Sequence, residues 1–118
     1  MRAMHTVIET TPFLKPAEKN GMSDAERQAV VDFIAADPTA GDEIPHTGGC
    51  RKVRFAGKGK GKSGGYRVIT FYSGADIPVV LLTTYAKNVR VNLSADECAT
   101  MKRLTKVFVT TYKERRRQ

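Results

Sequence analysis

Hydrophobic positions recur along the chain in two rhythms, every second residue or every third to fourth, and their order predicts the elements. HTVIET (5–10) alternates weakly and reads as a short first strand. Pro12 then allows a short helical turn, which KNG at 19–21 ends. Ser23 and Glu26 form an S-x-x-E capping box at the head of DAERQAVVDFIAAD. Ala29, Val30, Phe33 and Ile34 there share one helical face, and Pro38 bounds the helix. PTAGDEIPHTGG (38–49) is rich in turn formers and predicts no element.

Three strand-like runs follow: CRKVRFA (50–56), YRVITFY (66–72) and IPVVLLTTYAK (77–87). Side chains alternate across a strand, so Val53 and Phe55 oppose Lys52 and Arg54 in the first run. In the second, Arg67, Ile69 and Phe71 share a face, with Tyr66, Val68 and Tyr72 on the other. The third is apolar on both faces, which suits the middle of a sheet. Ser94 and Glu97 repeat the capping box, and Met101, Leu104 and Phe108 give the following helix its apolar stripe. KERRR and the rest of 113–118 read as a frayed basic tail. Strand, one or two helices, three antiparallel strands and a helix make an α+β domain, a single one over residues 1–118.

Composition narrows the class. With 41% hydrophobic and 27% charged residues the chain is expected to fold, and no apolar run reaches the length of a membrane helix. No hydrophobic signal core stands at the N-terminus, so the expected location is the cytoplasm. Cys50 and Cys98 lack CxxC or metal-type spacing and read as reduced thiols; His5 and His46 are far apart in sequence. No metal and no cofactor is therefore expected.

Charge is the informative quantity. The net charge is +8, yet residues 1–43 hold eight acids against four bases. The remainder is strongly basic. No acid occurs between Glu43 and Asp76, whereas Arg51, Lys52, Arg54, Lys58, Lys60, Lys62 and Arg67 all fall there. Such crowding calls for a polyanion or an acidic partner.

AGKGKGKS (56–63) lies one Gly-to-Ala step from the phosphate-binding pattern G-x-x-x-x-G-K-[ST]. That pattern needs a helix after it, whose N-terminal amides hold the phosphates. GGYRVITFY follows instead, with the glycines and period-two aromatics of a strand. The segment is expected to be a hairpin connection whose lysines act as a flexible cationic flap beside a nucleic-acid groove.

IPHTGGCRKVRFAGKGKGKSGGYRVITFY, with LLTTYAKN and LSADE after it, resembles the HigB branch of the RelE/ParE toxins of type II toxin–antitoxin pairs. The resemblance is best over residues 44–97, and the element order carries it further. It implies a RelE-like fold: a twisted antiparallel sheet packed on one side by N-terminal helices and a C-terminal helix. It implies a toxin that acts as a ribosome-dependent mRNA endonuclease, a metal-independent endoribonuclease that inhibits translation. The implied partners are a cognate helix-turn-helix antitoxin, the ribosomal A site with its mRNA, and operator DNA through the antitoxin only; no membrane is involved.

The resemblance carries over by residue to Lys52 and Arg54 on the first basic strand, to Arg67 of the GYR motif as the phosphate contact, and to Lys87. Asn88 stands where RelE itself has arginine, and Tyr112 is too far down the last helix to match the RelE catalytic tyrosine. Cleavage through a 2′-hydroxyl needs a base, charge stabilisation at phosphorus and a proton for the leaving oxygen. With histidines scarce, a cation cluster is the other route, because like charges favour deprotonation of an amine. Lys52, Arg54, Arg67 and Lys87 are thus the candidate catalytic residues. Arg51, Lys58, Lys60, Lys62, Tyr85 (by stacking) and Arg90 are the candidate RNA-binding residues. His46 reads as a solvated loop residue. Two other readings suit the same patch: a ParE-like gyrase inhibitor, and a non-catalytic RNA-binding module.

Overall fold

The computed structural model describes residues 5–56, 65–74, 77–87 and 92–116, excepting the side chains of 115 and 116. Its elements are β1 (Val7–Glu9), α1 (Thr11–Lys19), α2 (Asp24–Ala36), β2 (Asp42–Glu43), β3 (Cys50–Phe55), β4 (Tyr66–Phe71), β5 (Val79–Ala86) and α3 (Ala95–Arg116). The sheet order is β1-β5-β4-β3-β2. β2, β3, β4 and β5 pair antiparallel, whereas β1 lies parallel to β5, so the sheet is mixed where a purely antiparallel one was expected. The chain leaves β1, runs through α1 and α2, and pairs β1 with a strand formed much later, a connection that yields a parallel pair.

The helices cover both faces of the sheet, in contrast to the one-sided packing that the resemblance implied. Phe13, Ala17 and Met22 join Val30 and Ile34 of α2 and pack on Val53, Tyr66, Val68, Val79 and Leu81. Met101 of α3, with Leu104, Phe108 and Val109 at its margin, packs on Cys50, Ile69, Phe71, Val80, Leu82 and Tyr85. The physical reason is legible in β4 and β5. Both place large apolar residues on both sides, so each face must be covered to bury them. β5 indeed has a neighbour on each side.

Local chemistry explains the element ends. Ser23 and Glu26 complete their capping box, Glu26 N–H to Ser23 Oγ at 3.1 Å and Ser23 N–H to Glu26 Oε1 at 2.9 Å. Ser94 and Glu97 repeat it at 3.1 and 2.9 Å. α1 spans nine residues rather than a single turn, despite Pro16 inside it. Its Phe13 and Ala17, four apart, are both buried, which offsets the cost of the proline. Thr10 at its head donates its hydroxyl to the Leu81 carbonyl at 2.7 Å and so seats α1 beside β5.

Three expectations change. Residues 38–49 do contain an element, the two-residue β2, whose Asp42 and Glu43 pair with Lys52 and Arg51. Gly41 makes this approach possible: its φ is +93°, and a side chain there would collide with the Lys52 carbonyl. The buried face of α2 is Val30, Ile34 and Ala35, while Ala29 is exposed and Phe33 is 48% exposed. The helix seats Ile34 over the sheet, which leaves Phe33 at the rim, edge-on to Phe55 at 5.5 Å. Finally, α3 continues as helix through Lys113 and Glu114 to Arg116, where a frayed tail was expected.

Candidate nucleic-acid interface

The antiparallel register assembles the basic residues. Arg54 lies directly across from Arg67, and Arg67 directly across from Tyr85, so the three form one row across β3, β4 and β5. Cross-strand partners share a face, here the one carrying α3. Lys52 is two residues from Arg54 on the same face, opposite Ile69. Lys87 donates its N–H to the Gly65 carbonyl at 3.1 Å, which extends the β4–β5 ladder by one position. Alternation then puts Lys87 on the face of Tyr85. All four candidate catalytic residues thus share one face of the sheet, with Arg54, Arg67 and Lys87 toward one end and Lys52 at the middle of β3.

Their environments differ. Arg54 and Lys87 are exposed, whereas Lys52 and Arg67 are half-buried. Two guanidinium groups directly opposite on neighbouring strands repel each other. Among the described residues no carboxylate forms an ion pair with either one; the ion pairs found are Arg27 with Glu9 at 3.0 Å and with Asp24 at 3.4 Å. The Arg27–Glu9 pair ties α2 to β1, and Arg27–Asp24 lies within α2; together they account for two of the acids in the N-terminal third. Lys52 donates from Nζ to Asn92 Oδ1 at 3.0 Å, which orients it from the segment just before α3. Arg51 points to the other face and donates from Nη1 to the Gly41 carbonyl at 3.2 Å, so it braces the β2 edge rather than joining the row.

The glycine segment joins β3 to β4 as a hairpin, with Phe55 paired to Tyr66 and no helix following. Lys58, Lys60 and Lys62 of that segment, and also Asn88 and Arg90, lie outside the described residues. Tyr85 is 4% exposed, so it offers no open ring for a base to stack on and packs in the core beneath α3. Tyr66 is also buried, its hydroxyl 3.4 Å from the Asn20 carbonyl. Burial raises its pKa, with a further rise from Glu26. His46 is exposed in the β2–β3 turn with φ 65°, at the opposite end of β3 from Arg54. His5 rests edge-on against Tyr72 at 5.3 Å. Neither histidine reaches the row.

The thiols stay free, Cys50 buried and Cys98 half-buried. Burial pushes the Cys50 thiol up to about 11, against a lowering hydrogen bond with Thr47. Among the described residues no group of three or more His, Cys, Asp or Glu side chains could hold a metal ion. No described helix is long and apolar enough to cross a membrane.

Two features near the row had no signal in the sequence. Asn92 meets Lys52 across forty positions of chain. Lys15 and Lys19, from the net-acidic third, line a cleft of about 520 Å³ with Pro16, Asn20, Thr83, Thr84 and Tyr85. That cleft opens beside β5 beyond Leu81, where β1 has ended. Only the tertiary fold brings cations from both halves of the chain to β5.

The sequence model for the RelE toxin of the RelE/RelB toxin–antitoxin system matches residues 5–117, nearly the whole chain. By that match the chain belongs to the RelE toxin family of toxin–antitoxin systems, whose toxins are paired with an antitoxin.

Proposed function

We propose that the protein is a ribosome-dependent endoribonuclease that cuts mRNA and so inhibits translation. The observation that carries this reading is the Arg54–Arg67 pair, held directly opposite on β3 and β4 with no carboxylate ion-paired to either among the described residues. Two facing guanidinium groups are costly unless an anion lies between them, and each can hold a phosphate oxygen through paired N–H donors. A scissile phosphate at that position would gain charge stabilisation as its transition state develops.

Lys52 is the group suited to move a proton. It shares the face of the two arginines, is half-buried, and is oriented by Asn92. Lys87 borders the row and would bind the phosphate on one side of the scissile bond. No histidine takes part. Sparse acid–base equipment suits an enzyme whose substrate is bent into position by the ribosome, with the chain supplying mainly the phosphate clamp. Operator DNA would be met through a helix-turn-helix antitoxin, and the reaction would need no metal.

Cleavage of end-labelled mRNA by the purified chain, with and without programmed ribosomes, tests the reading. Cuts that appear only with ribosomes, at codon-phased positions, and disappear in Arg67→Ala are the expected result. Cuts on naked RNA would remove the ribosome from the mechanism. No cuts under either condition would overturn the nuclease reading and shift the role to gyrase inhibition or simple binding.

A further inference from the structure

A second surface lies on the face of α3, at the other end of the β3–β4 ladder from Arg54 and Arg67. Cys50 and Phe71 pair at that end, four residues along β3 from the arginine row, or about 13 Å at strand rise. There the middle of α3, the β2–β3 turn and the sheet enclose an open groove of about 380 Å³. Phe71, Val109 and Gly48 form its apolar part, and Lys102 and Lys106 stand along it. The groove exists because the turn approaches the helix so closely. Gly48 has φ +78°, and a side chain there would stand 2.8 Å from Thr105 Oγ1.

The helix carries two parallel stripes. Met101, Leu104, Thr105 and Phe108 are turned to the sheet, with Met101 and Thr105 buried. Next to them run Lys102, Lys106, Val109 and Lys113, at spacings of four, three and four. The three lysines are exposed. No acid occurs in the sequence between Glu97 and Glu114, and among the described residues no carboxylate pairs with any of the three. A lysine row without counterions beside an apolar groove is complementary to one kind of ligand: a segment with large apolar side chains flanked by carboxylates. Phosphates of a nucleic acid would answer the lysines and leave Phe71 and Val109 unused. A protein segment answers both.

From this geometry we infer that the groove along the middle of α3 is a docking site for an acidic amphipathic segment of the antitoxin. Its apolar residues enter between Val109, Phe71 and Gly48, and its carboxylates meet Lys102, Lys106 and Lys113. The inference rests on family membership, not on the nuclease reading. The segment grips the toxin at a distance from Arg54 and Arg67, so affinity and cleavage are separable by mutation.

The test uses the full chain and its cognate antitoxin. Calorimetric titration compares the wild type with Lys102→Glu/Lys106→Glu and, separately, with Val109→Asp. Each variant is expected to weaken binding about tenfold or more, and the wild-type affinity to fall with added salt. An independent readout needs no variant: acetylation of lysine amines, read by mass spectrometry, is expected to slow at Lys102 and Lys106 in the complex. Unchanged affinity in the double variant, with both lysines equally reactive free and bound, would overturn the inference. So would a double variant that loses RNA binding and keeps its antitoxin affinity, which would assign the stripe to nucleic acid. Ribosome-dependent cleavage by the free double variant reports on the nuclease reading separately.

Discussion

The two faces of the sheet are built from the same strands yet serve different ends. On one face α1 and α2 cover Val53, Tyr66, Val68, Val79 and Leu81, with Phe13 and Ile34 fully buried between them. On the other, a single helix covers Cys50, Ile69, Phe71, Val80 and Leu82, and the end bearing Arg54 keeps its cations accessible. Consecutive residues on β4 show the division most sharply. Tyr66 is sealed into the first face, and Arg67 is half-buried on the second. Complete cover yields stability; partial cover leaves charge where a ligand can reach it.

This contrast can be broken in a graded way. The largest effect is expected from Phe13→Ala on the covered face, which removes a fully buried ring and should lower unfolding free energy by about 3–5 kcal/mol in denaturant titration. Arg67→Ala on the other face should leave that free energy nearly unchanged, while slowing ribosome-dependent cleavage by roughly 100-fold. If Arg67→Ala unfolded the chain as Phe13→Ala does, the proposed division of labour would fail.

Cys50 offers a pH test of the α3 face. Its thiol is raised from the ordinary 9.0 to about 11, so between those values the unfolded chain has lost the proton that the folded chain retains. The contribution of Cys50 to stability is therefore complete below pH 9 and lost as pH climbs to about 11. Cys50→Ser should flatten that part of the curve of stability against pH. At neutral pH, half-buried Cys98 should react with iodoacetamide before Cys50 does.

The smallest effects come from the paired caps. Ser23→Ala and Ser94→Ala should each cost about 1 kcal/mol, since each removes a single N-cap hydrogen bond. Only Ser94→Ala is expected to slow cleavage as well, because Asn92, two residues ahead of that cap, holds Lys52. Equal cleavage rates in the two variants would separate Lys52 orientation from α3.

Much of the fold was legible because local signals agreed with each other. The two capping boxes located α2 and α3 at their first residues, and alternation in CRKVRFA and YRVITFY placed Arg67 with Ile69 and Phe71. β2 escaped because two residues carry no periodicity; its evidence lies in Gly41 and in the register with Lys52. The face of α2 was misjudged at Ala29 and Phe33, since an apolar arc allows the helix to roll and only contact with the sheet selects Ile34 and Ala35. For Tyr85, sequence left packing and stacking equally open, and burial decided for packing.

From its residues alone this chain determined that it would be a strand-and-helix protein with a basic sheet, and that the glycine-rich segment would connect strands. Those properties depend on near neighbours in sequence: hydrogen bonds three residues apart, period-two alternation, and glycines before a strand. The tertiary structure decided which cations meet. Register put Arg54 opposite Arg67, chain reversal brought Asn92 to Lys52, and α3 came to lie beside Gly48 with its lysines outward. Each of these depends on how distant segments pack, and a pattern read within one segment contains no distance to another.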